Sequence, residues 1–334
     1  MVLGCRSQMP QHFLLSSRAR TMSLATVFGL TDAEAEAAFR KVRWPDSGGE
    51  PVCPACLSSG AYDCRRSNGA ARFRCRGCQK DFSITSGTIF ASFKRPLRLY
   101  LAAIVIFCNE HKGKSMLAMS RDLGLSYKAA FVLCHKMREA MAAGMRGCLI
   151  GGEGKVVEID GAHFGGYVKP ANVSNKRIDR RIARNLTGKR KAVVIVRERG
   201  GSILPAVFKS EARAVRFLME RIRRGTLVHA DEAAAWDPLH AMFKVLRINH
   251  KQAYSLHGTC TNSAEGYFSR LRRAECVQGH ISGAYLLRYA QEAAFREERR
   301  RVPNGELATR VLASALTTAP SIDFTGYWQR REAA

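Results

Sequence analysis

Two pairs of cysteines have the spacing of a metal site. Cys53 and Cys56 form one C-x-x-C pair, and Cys75 and Cys78 form a second pair after 18 intervening residues. Each pair forms a tight turn that directs both thiolates toward one tetrahedral ion, so the spacing predicts a structural zinc site. Cys64 lies between the pairs and is the one other candidate ligand in this segment.

Three carboxylates stand where divalent cations could bind. Asp160 follows the mostly apolar run 156–159 and Asp231 follows the run 227–230, which predicts both side chains at strand ends. Capping of a turn is the alternative role for each. Glu265 lies further on, in a segment with helical periodicity. Carboxylates from two strands and a helix can converge on two Mg²⁺ or Mn²⁺ ions, which would support phosphoryl transfer.

The segment around Glu265 has two distinct helical faces. Ala264, Phe268 and Leu271 follow the spacing of a buried apolar face. Glu265 directly follows Ala264, and Arg272 directly follows Leu271, so both lie beside that face. The pattern therefore predicts Glu265 at the rim of the core, with a cation about two turns below it.

The charge balance favours a polyanionic partner. The chain has 54 Lys and Arg against 28 Asp and Glu, a formal net charge of +26. Half of this excess lies between Lys169 and Arg224, where 17 basic residues face four acidic ones. So large an excess disfavours a compact state unless a polyanion neutralises it, so nucleic acid is the expected partner. A merely soluble basic surface is the alternative.

Composition also excludes several classes of protein. With 334 residues, 46% of them hydrophobic, the chain can bury at least one core and is not wholly disordered. The longest apolar run, 99–108, is about half the length of a membrane-spanning helix. The basic N-terminus lacks the apolar stretch of a secretory signal, and the odd count of 11 cysteines argues against a disulfide framework. We therefore expect a cytoplasmic, nucleoid-associated protein.

The sequence patterns divide the chain into five parts. A capping box at Thr31 opens a short helix that stops before Trp44, and a segment rich in Gly, Ser, Cys and Arg follows. A glycine-rich join at 144–154 separates a helical region from a region of short strands. The predicted parts are an N-terminal extension with a short helix, a zinc ribbon, a helical DNA-binding segment, a catalytic domain and a tail, at 1–45, 46–90, 91–150, 151–302 and 303–334. The Pro-Asn-Gly sequence at 303–305 indicates that the tail is a loose extension.

The helical region contains a candidate DNA-binding motif. Residues 117–123 and 127–141 have helical patterns joined by a tight turn at 124–126. This is the spacing of a helix-turn-helix, in which the second helix contacts DNA. An ordinary helical hairpin has the same pattern and stays an alternative.

The remaining patterns predict a layered α/β architecture. Strands are expected at 156–160, 192–197, 203–208 and 226–230, with a helix at 212–224 and further helices beyond Thr261. The fold class is therefore a multi-domain α/β protein, with a small zinc module, a helical segment and a β-sheet flanked by helices.

Taken together, these features resemble those of DDE-type transposases of bacterial insertion sequences. Within these transposases, the chain resembles the group that joins a zinc ribbon to a ribonuclease H-like catalytic domain with a mixed sheet. The resemblance spans about residues 30–300. It is carried by Arg43-Trp44-Pro45, the two cysteine pairs, Glu158-Ile159-Asp160-Gly161 with Gly165-Gly166, His229-Ala230-Asp231, the segment 257–262, Glu265 and Arg272-Arg273.

The resemblance implies a set of catalytic residues. Asp160, Asp231 and Glu265 would be the catalytic acids that hold two Mg²⁺ or Mn²⁺ ions. Asn262 is a rival for the third position, although an anionic oxygen holds a hard cation better than an amide does. His257 is a candidate for contacting a phosphate or assisting metal placement.

The resemblance also implies the reaction and the partners. Arg272, Arg273 and the basic stretch from Lys169 would clamp DNA strands. Water would cut at an element end, and the freed 3′-hydroxyl would then attack target DNA. The partners would be terminal inverted repeats and target DNA, bound by a dimer or a higher assembly.

Other functions remain open from the sequence. A zinc-ribbon transcriptional regulator would tolerate replacement of the three acids. A ribonuclease H-like nuclease would cut without joining, and an inactive copy would do neither. His229 also suits a half-buried strand position. Cys260 as a nucleophile is not supported, because no pattern places a base beside it.

Overall fold

The protein is described from a computed structural model, which covers residues 12–67, 69–92, 94–165, 171–178, 190–249, 255 and 258–332. The chain divides into two compact units, one made of residues 1–141 and 299–334 and the other of residues 142–298. His257, Gly166 and Lys169, which the sequence analysis singles out, lie outside the described residues. Within the described part of the chain, no helix has the length and apolar character that spanning a membrane requires.

The helices and strands follow in chain order. The strands are β1 (Ala61–Asp63), β2 (Phe73–Cys75), β3 (Asp81–Phe82), β4 (Val156–Phe164), β5 (Lys191–Glu198), β6 (Ile203–Phe208), β7 (Leu227–Asp231) and β8 (Lys244–Ile248). The helices are α1 (Leu24–Gly29), α2 (Asp32–Arg43), α3 (Leu97–Asn109), α4 (Met116–Asp122), α5 (Tyr127–Ala142), α6 (Val215–Arg221), α7 (Asn262–Gln278), α8 (Leu286–Glu298), α9 (Asn304–Thr317) and α10 (Tyr327–Glu332).

The first helix predicted from the sequence is confirmed. The Thr31 side chain accepts from the Glu34 backbone N–H at 3.2 Å, and Glu34 Oε2 accepts from the Thr31 N–H at 2.7 Å. This capping box begins α2, which ends at Arg43. Its buried Phe39 packs edge-on against Tyr100 of α3, with ring centroids 6.4 Å apart.

The end of the chain differs from the predicted tail. Pro303 is the N-cap of α9, whose Leu307, Val311 and Leu312 are buried. The Asn304 side chain fixes this start by accepting from the backbone N–H of Thr21 at 2.8 Å. The Pro-Asn-Gly sequence at 303–305 indicated a loose extension, whereas it is the beginning of a helix with an apolar face.

The helix–turn–helix spacing is present in α4 and α5. Gly124 has a φ of +60° and makes the turn, because this left-handed conformation favours glycine. Helix α5 is buried on nearly all sides from Ala130 onward, including Lys136, which is 7% exposed. Its exposed part is the first turn, at Tyr127 and Lys128. Any contact of α5 with DNA is therefore confined to that turn.

The second unit is built on a five-stranded mixed sheet in the order β6-β5-β4-β7-β8. Strands β4, β7 and β8 are parallel neighbours, while β5 is antiparallel to both β4 and β6. The predicted strand at 203–208 has the observed bounds of β6. The helix expected at 212–224 is a 3₁₀ turn (Glu211–Ala214) followed by the shorter α6.

Two features of the sheet differ from the sequence prediction. Strand β4 continues past Asp160 to Phe164, because its second half pairs with β5, and Gly161 does not interrupt it. Asp160 is therefore not at a strand end. Strand β8 was not predicted, since Lys244 and Arg247 break the apolar run that indicates a strand.

The two faces of the sheet have different chemistry. One face packs an apolar core in which Val157, Val228 and Trp236 are fully buried. Because side chains alternate along a strand, Glu158 and Asp160 of β4 lie on the other face with His229 and Asp231 of β7. Helix α7 contacts β4 and β5. The polar face of the two central strands therefore carries the candidate site.

Candidate active site and zinc centre

The four cysteines of the two pairs meet at one point. Their Sγ atoms all lie within 4.8 Å of one another, with 3.6 Å between Cys53 and Cys78 and 3.5 Å between Cys56 and Cys75. Four thiolates at about 2.3 Å from a zinc ion stand about 3.8 Å apart in a tetrahedron. The donor set and spacing therefore fit a structural Zn²⁺.

The two halves of this centre are built alike. Four residues after the first cysteine of each pair, Leu57 and Gln79 donate their backbone N–H to the carbonyls of Cys53 and Cys75. Leu57 and Gln79 also have positive φ angles, of 61° and 57°. These strained turns close the loops and direct the thiols to one point. Cys64 is exposed and is not part of the four-cysteine group.

The first two carboxylates lie on the two central strands. The parallel register pairs Ile159 with Ala230, so Asp160 and Asp231 occupy the next positions along their strands. Asp231 Oδ1 accepts from Trp236 Nε1 at 2.7 Å and from the Ala233 N–H at 3.2 Å. These bonds fix the orientation of the Asp231 side chain beside β4.

The pKa of Asp160 is shifted by its surroundings, which include other carboxylates. This pKa is raised to about 7, mainly by burial and in smaller part by the negative charges of Asp231, Glu265 and Glu211, against the lowering effect of the Gly161 N–H. That N–H donates to Asp160 Oδ1 at 2.7 Å. Asp231 and Glu265, the other two predicted acids, thus both interact electrostatically with Asp160.

The third predicted acid lies on the first turn of α7. Glu265 is exposed, while Ala264, Phe268 and Leu271 are buried as the sequence predicts. Asn262, the rival to Glu265, begins the same helix and is also exposed.

The two arginines proposed to clamp DNA lie further along α7. Arg272 and Arg273 are both exposed. The Arg272 guanidinium carbon lies 5.9 Å from the centre of the Phe164 ring, and Phe164 is the last residue of β4. This contact brings the Arg272 guanidinium toward the end of the strand that carries Asp160.

Glu211 is a fourth carboxylate that the sequence analysis did not select. Burial raises its pKa, an effect that His163 opposes and Asp231 reinforces. A Cβ at Gly161 would stand 2.6 Å from Glu211 Oε1, so the carboxylate rests against the backbone of β4. The sequence offers one signal for Glu211, which is its position. It is one of four acids in a strongly basic stretch, and it follows shortly after the predicted strand at 203–208.

The carboxylate site suits hard divalent cations. Its donors are oxygens. Burial, together with the neighbouring negative charges, raises the pKa of Asp160, and a bound divalent cation would favour the ionised carboxylate. In the described ranges, the four cysteines are the one group of three or more His, Cys, Asp or Glu side chains close enough to hold a single ion.

Gly161 provides a test of this packing. We expect Gly161→Ala to push the Glu211 carboxylate away and lower the free energy of unfolding by about 1 kcal/mol, the lower end of the range for overpacking, because the atoms that must move belong to a flexible side chain. Gly266→Ala is the control, because its Cβ meets nothing within 4 Å and alanine favours the helix by up to about 1 kcal/mol. Urea denaturation of both variants measures the difference. Equal stability of the two would show that Glu211 does not rest on Gly161.

Comparisons with known proteins match two segments of the chain. Residues 151–298 match the family model of the ISXO2-like transposase domain, and residues 30–81 match that of the transposase zinc-ribbon domain. The chain is also 24% identical over 290 residues to an uncharacterized protein in the transposable element ISH50 of Halobacterium salinarum, an alignment that covers 83% of this chain and 94% of that relative. The first match contains the three predicted acids and the second contains the four cysteines.

Proposed function

We propose that this chain, which carries the catalytic and zinc-ribbon domains of insertion-sequence transposases, binds the inverted repeats of an element and cuts and joins DNA there. The observation that carries the proposal is the placement of Asp160 and Asp231 at neighbouring positions of the parallel strands β4 and β7, with α7, which carries Glu265, packed against β4. Clustered carboxylates with perturbed pKa values are typical of functional sites. The mixed sheet flanked by helices supports a ribonuclease H-like catalytic domain.

Each proposed catalytic residue has a defined role. Asp160 and Asp231 would hold the cations on two rigid neighbouring strands, and Glu265 would complete the site from α7, with Asn262 as the alternative. When bound, two Mg²⁺ or Mn²⁺ ions stabilise charge on the attacking and leaving oxygens of the phosphodiester. Arg272 and Arg273 would position DNA strands through their phosphates.

The first unit would recognise the DNA ends. In the zinc ribbon, Arg72 and Arg74 both pair with Asp81, whereas the Arg76 guanidinium lies 4.8 Å from the centre of the half-exposed Tyr62 ring. A cation stacked on an aromatic ring suits contact with a nucleic-acid backbone. Joining two element ends would require a dimer or a higher assembly, acting at the nucleoid in the cytoplasm.

The test is a strand-transfer assay with the purified full chain. A labelled duplex that carries the flanking inverted repeat is incubated with target DNA and Mg²⁺. We expect joined products with the wild type and none with Asp231→Ala, because one cation ligand is lost. Glu220→Ala is the control, since it removes an exposed carboxylate of α6, and should leave the products unchanged.

The other outcomes separate the remaining functions. Cut but unjoined DNA would favour a nuclease. DNA binding without any product from the wild type would favour a regulator, and equal products from Asp231→Ala would remove this residue from the catalytic machinery.

A further inference from the structure

A buried carboxylate connects β4 to the start of α7. Glu158 is 0% exposed, and its Oε2 accepts from the backbone N–H of Ala264 at 3.0 Å. Ala264 is the third residue of α7, where backbone N–H groups have no partner within the helix. The N-cap residue Thr261 makes no side-chain capping bond. Glu158 therefore caps α7 from a neighbouring strand.

The second carboxylate oxygen of Glu158 is neutralised by an arginine. Arg199 Nε donates to Glu158 Oε1 at 2.9 Å. A buried carboxylate without such a partner would be strongly destabilising, so the pair explains how a charge is tolerated there. A carboxylate at a helix N-terminus also interacts favourably with the helix dipole.

Arg199 extends the same network to the segment that leads into α7. Its Nη2 donates to the backbone carbonyl of Cys260 at 3.2 Å, and its Nη1 donates to that of Gly258 at 3.2 Å. The Cys260 N–H in turn donates to His229 Nδ1 at 3.3 Å. Both the approach to α7 and its first turn are thus tied to the central strands.

We propose that Glu158 is a positioning residue that holds Glu265 in register with Asp160. One residue separates Glu158 from Asp160 on β4, and the capped Ala264 directly precedes Glu265 on α7. Without the cap, the mutual repulsion of the carboxylates favours movement of the first turn of α7 away from β4. This inference rests on the proposed function, because it concerns the placement of its third acid.

The first measurement is hydrogen exchange of Glu158→Gln in the full chain. The substitution keeps the size of the side chain but removes the charge that pairs with Arg199. We expect exchange in 261–268 to accelerate about tenfold or more, with less than a twofold change in the second half of α7 and in β5. Glu292→Gln is the matched control, because Glu292 is 4% exposed and pairs with Arg296 at 2.7 Å on α8.

The second measurement is Mn²⁺ affinity, determined by electron paramagnetic resonance of the free ion. We expect Glu158→Gln to weaken binding about 10–100-fold, the range for residues that orient metal ligands, and Glu292→Gln to leave it unchanged. If Glu158→Gln does not fold, Glu158→Gln combined with Arg199→Gln removes both charges together and should weaken Mn²⁺ binding to the same degree.

The two measurements separate this inference from the proposed function. Unchanged exchange in 261–268, or equal acceleration throughout 142–298, would overturn the positioning role. Local acceleration with unchanged Mn²⁺ affinity would also overturn it. If the wild type itself binds no Mn²⁺, the proposed function fails, and local acceleration alone still supports Glu158 as the cap of α7.

Discussion

Replacing Cys75 with serine is expected to abolish zinc binding and unfold the zinc ribbon. The strands β1, β2 and β3 have only two or three residues each, and their buried core is formed mainly by Trp44, Phe73 and Phe82. A core of this size does not hold a module together without a metal. Structural zinc contributes on the order of 10 kcal/mol, so loss of one thiolate removes the main stabilising interaction.

The result is measured as zinc content per chain and as protease sensitivity of residues 53–82. We expect zinc to fall from about one ion per chain toward zero in Cys75→Ser. Binding to inverted-repeat DNA should be lost with it, if the ribbon contacts the element ends as proposed. The second unit, residues 142–298, should keep its stability, because its described residues include none of the four cysteines.

Cys64→Ser is the matched control for this prediction. Cys64 belongs to the same module, but it is exposed and stands apart from the four-cysteine group. We therefore expect full zinc content and wild-type resistance to proteolysis. Zinc loss in Cys64→Ser, or zinc retention in Cys75→Ser, would show that the ligand set is wrong.

The zinc ligands could be predicted from the sequence because their geometry is local. Two C-x-x-C turns fix most of the ligand positions, and only the distance between the two pairs needs tertiary structure. The capping box at Thr31 and the strand at 203–208 were predictable for the same reason, since each depends on neighbours in the chain. In these segments local preference and tertiary structure agree.

Glu158 shows why other parts of the site could not be predicted. In the sequence it interrupts an apolar run, and its place in the motif 158–161 assigns it no role. Its burial depends on Arg199, 41 residues away, and on the N–H of Ala264, 106 residues away. Glu211 is similar, because only the fold brings it against Gly161. The roles of such residues come from partners that periodicity and spacing do not specify.

The end of the chain shows a different limit. Leu307, Val311 and Leu312 have helical spacing, but the preceding Pro303 and Gly305 indicated a loose segment. Proline is tolerated where a helix begins, because its missing N–H would have no partner there. The Asn304 side chain also accepts from the Thr21 N–H, 283 residues earlier, a contact at the start of the helix that the local sequence does not specify.

Asp160→Asn is expected to stabilise the protein at high pH and to abolish strand transfer. The pKa of Asp160 is about 7 in the folded chain, against an ordinary value of 3.8, so folding disfavours its ionised form. The contribution of Asp160 to the free energy of unfolding is therefore highest below pH 4, where Asp160 is protonated in both the folded and the unfolded chain. It falls as the pH rises from 4 through 7, because the unfolded chain ionises first. Asparagine carries no charge, and its carbonyl oxygen can still accept from the Gly161 N–H.

The measurement is urea denaturation from pH 4 to pH 8 in buffer without added divalent metal. We expect the two proteins to be nearly equal at pH 4, and Asp160→Asn to be more stable by up to about 4 kcal/mol at pH 8. Asp237→Asn is the control, because Asp237 is exposed and ion-paired with Arg247 at 2.5 Å, and should show no stabilisation at pH 8. A stability difference that does not grow with pH would show that neither burial nor the neighbouring charges disfavour the ionised form of Asp160.

Mg²⁺ should reverse the order of stability. A cation that binds the carboxylates favours the folded state, so added Mg²⁺ should stabilise the wild type and have little effect on Asp160→Asn. Strand transfer should fall by at least about 10³-fold, because an amide cannot replace an anionic ligand of a hard cation. Full activity in Asp160→Asn would exclude this residue from the catalytic site even if the variant is stabilised. Stabilisation together with loss of activity would show that ionised Asp160 lowers the stability of the folded protein but is needed for strand transfer.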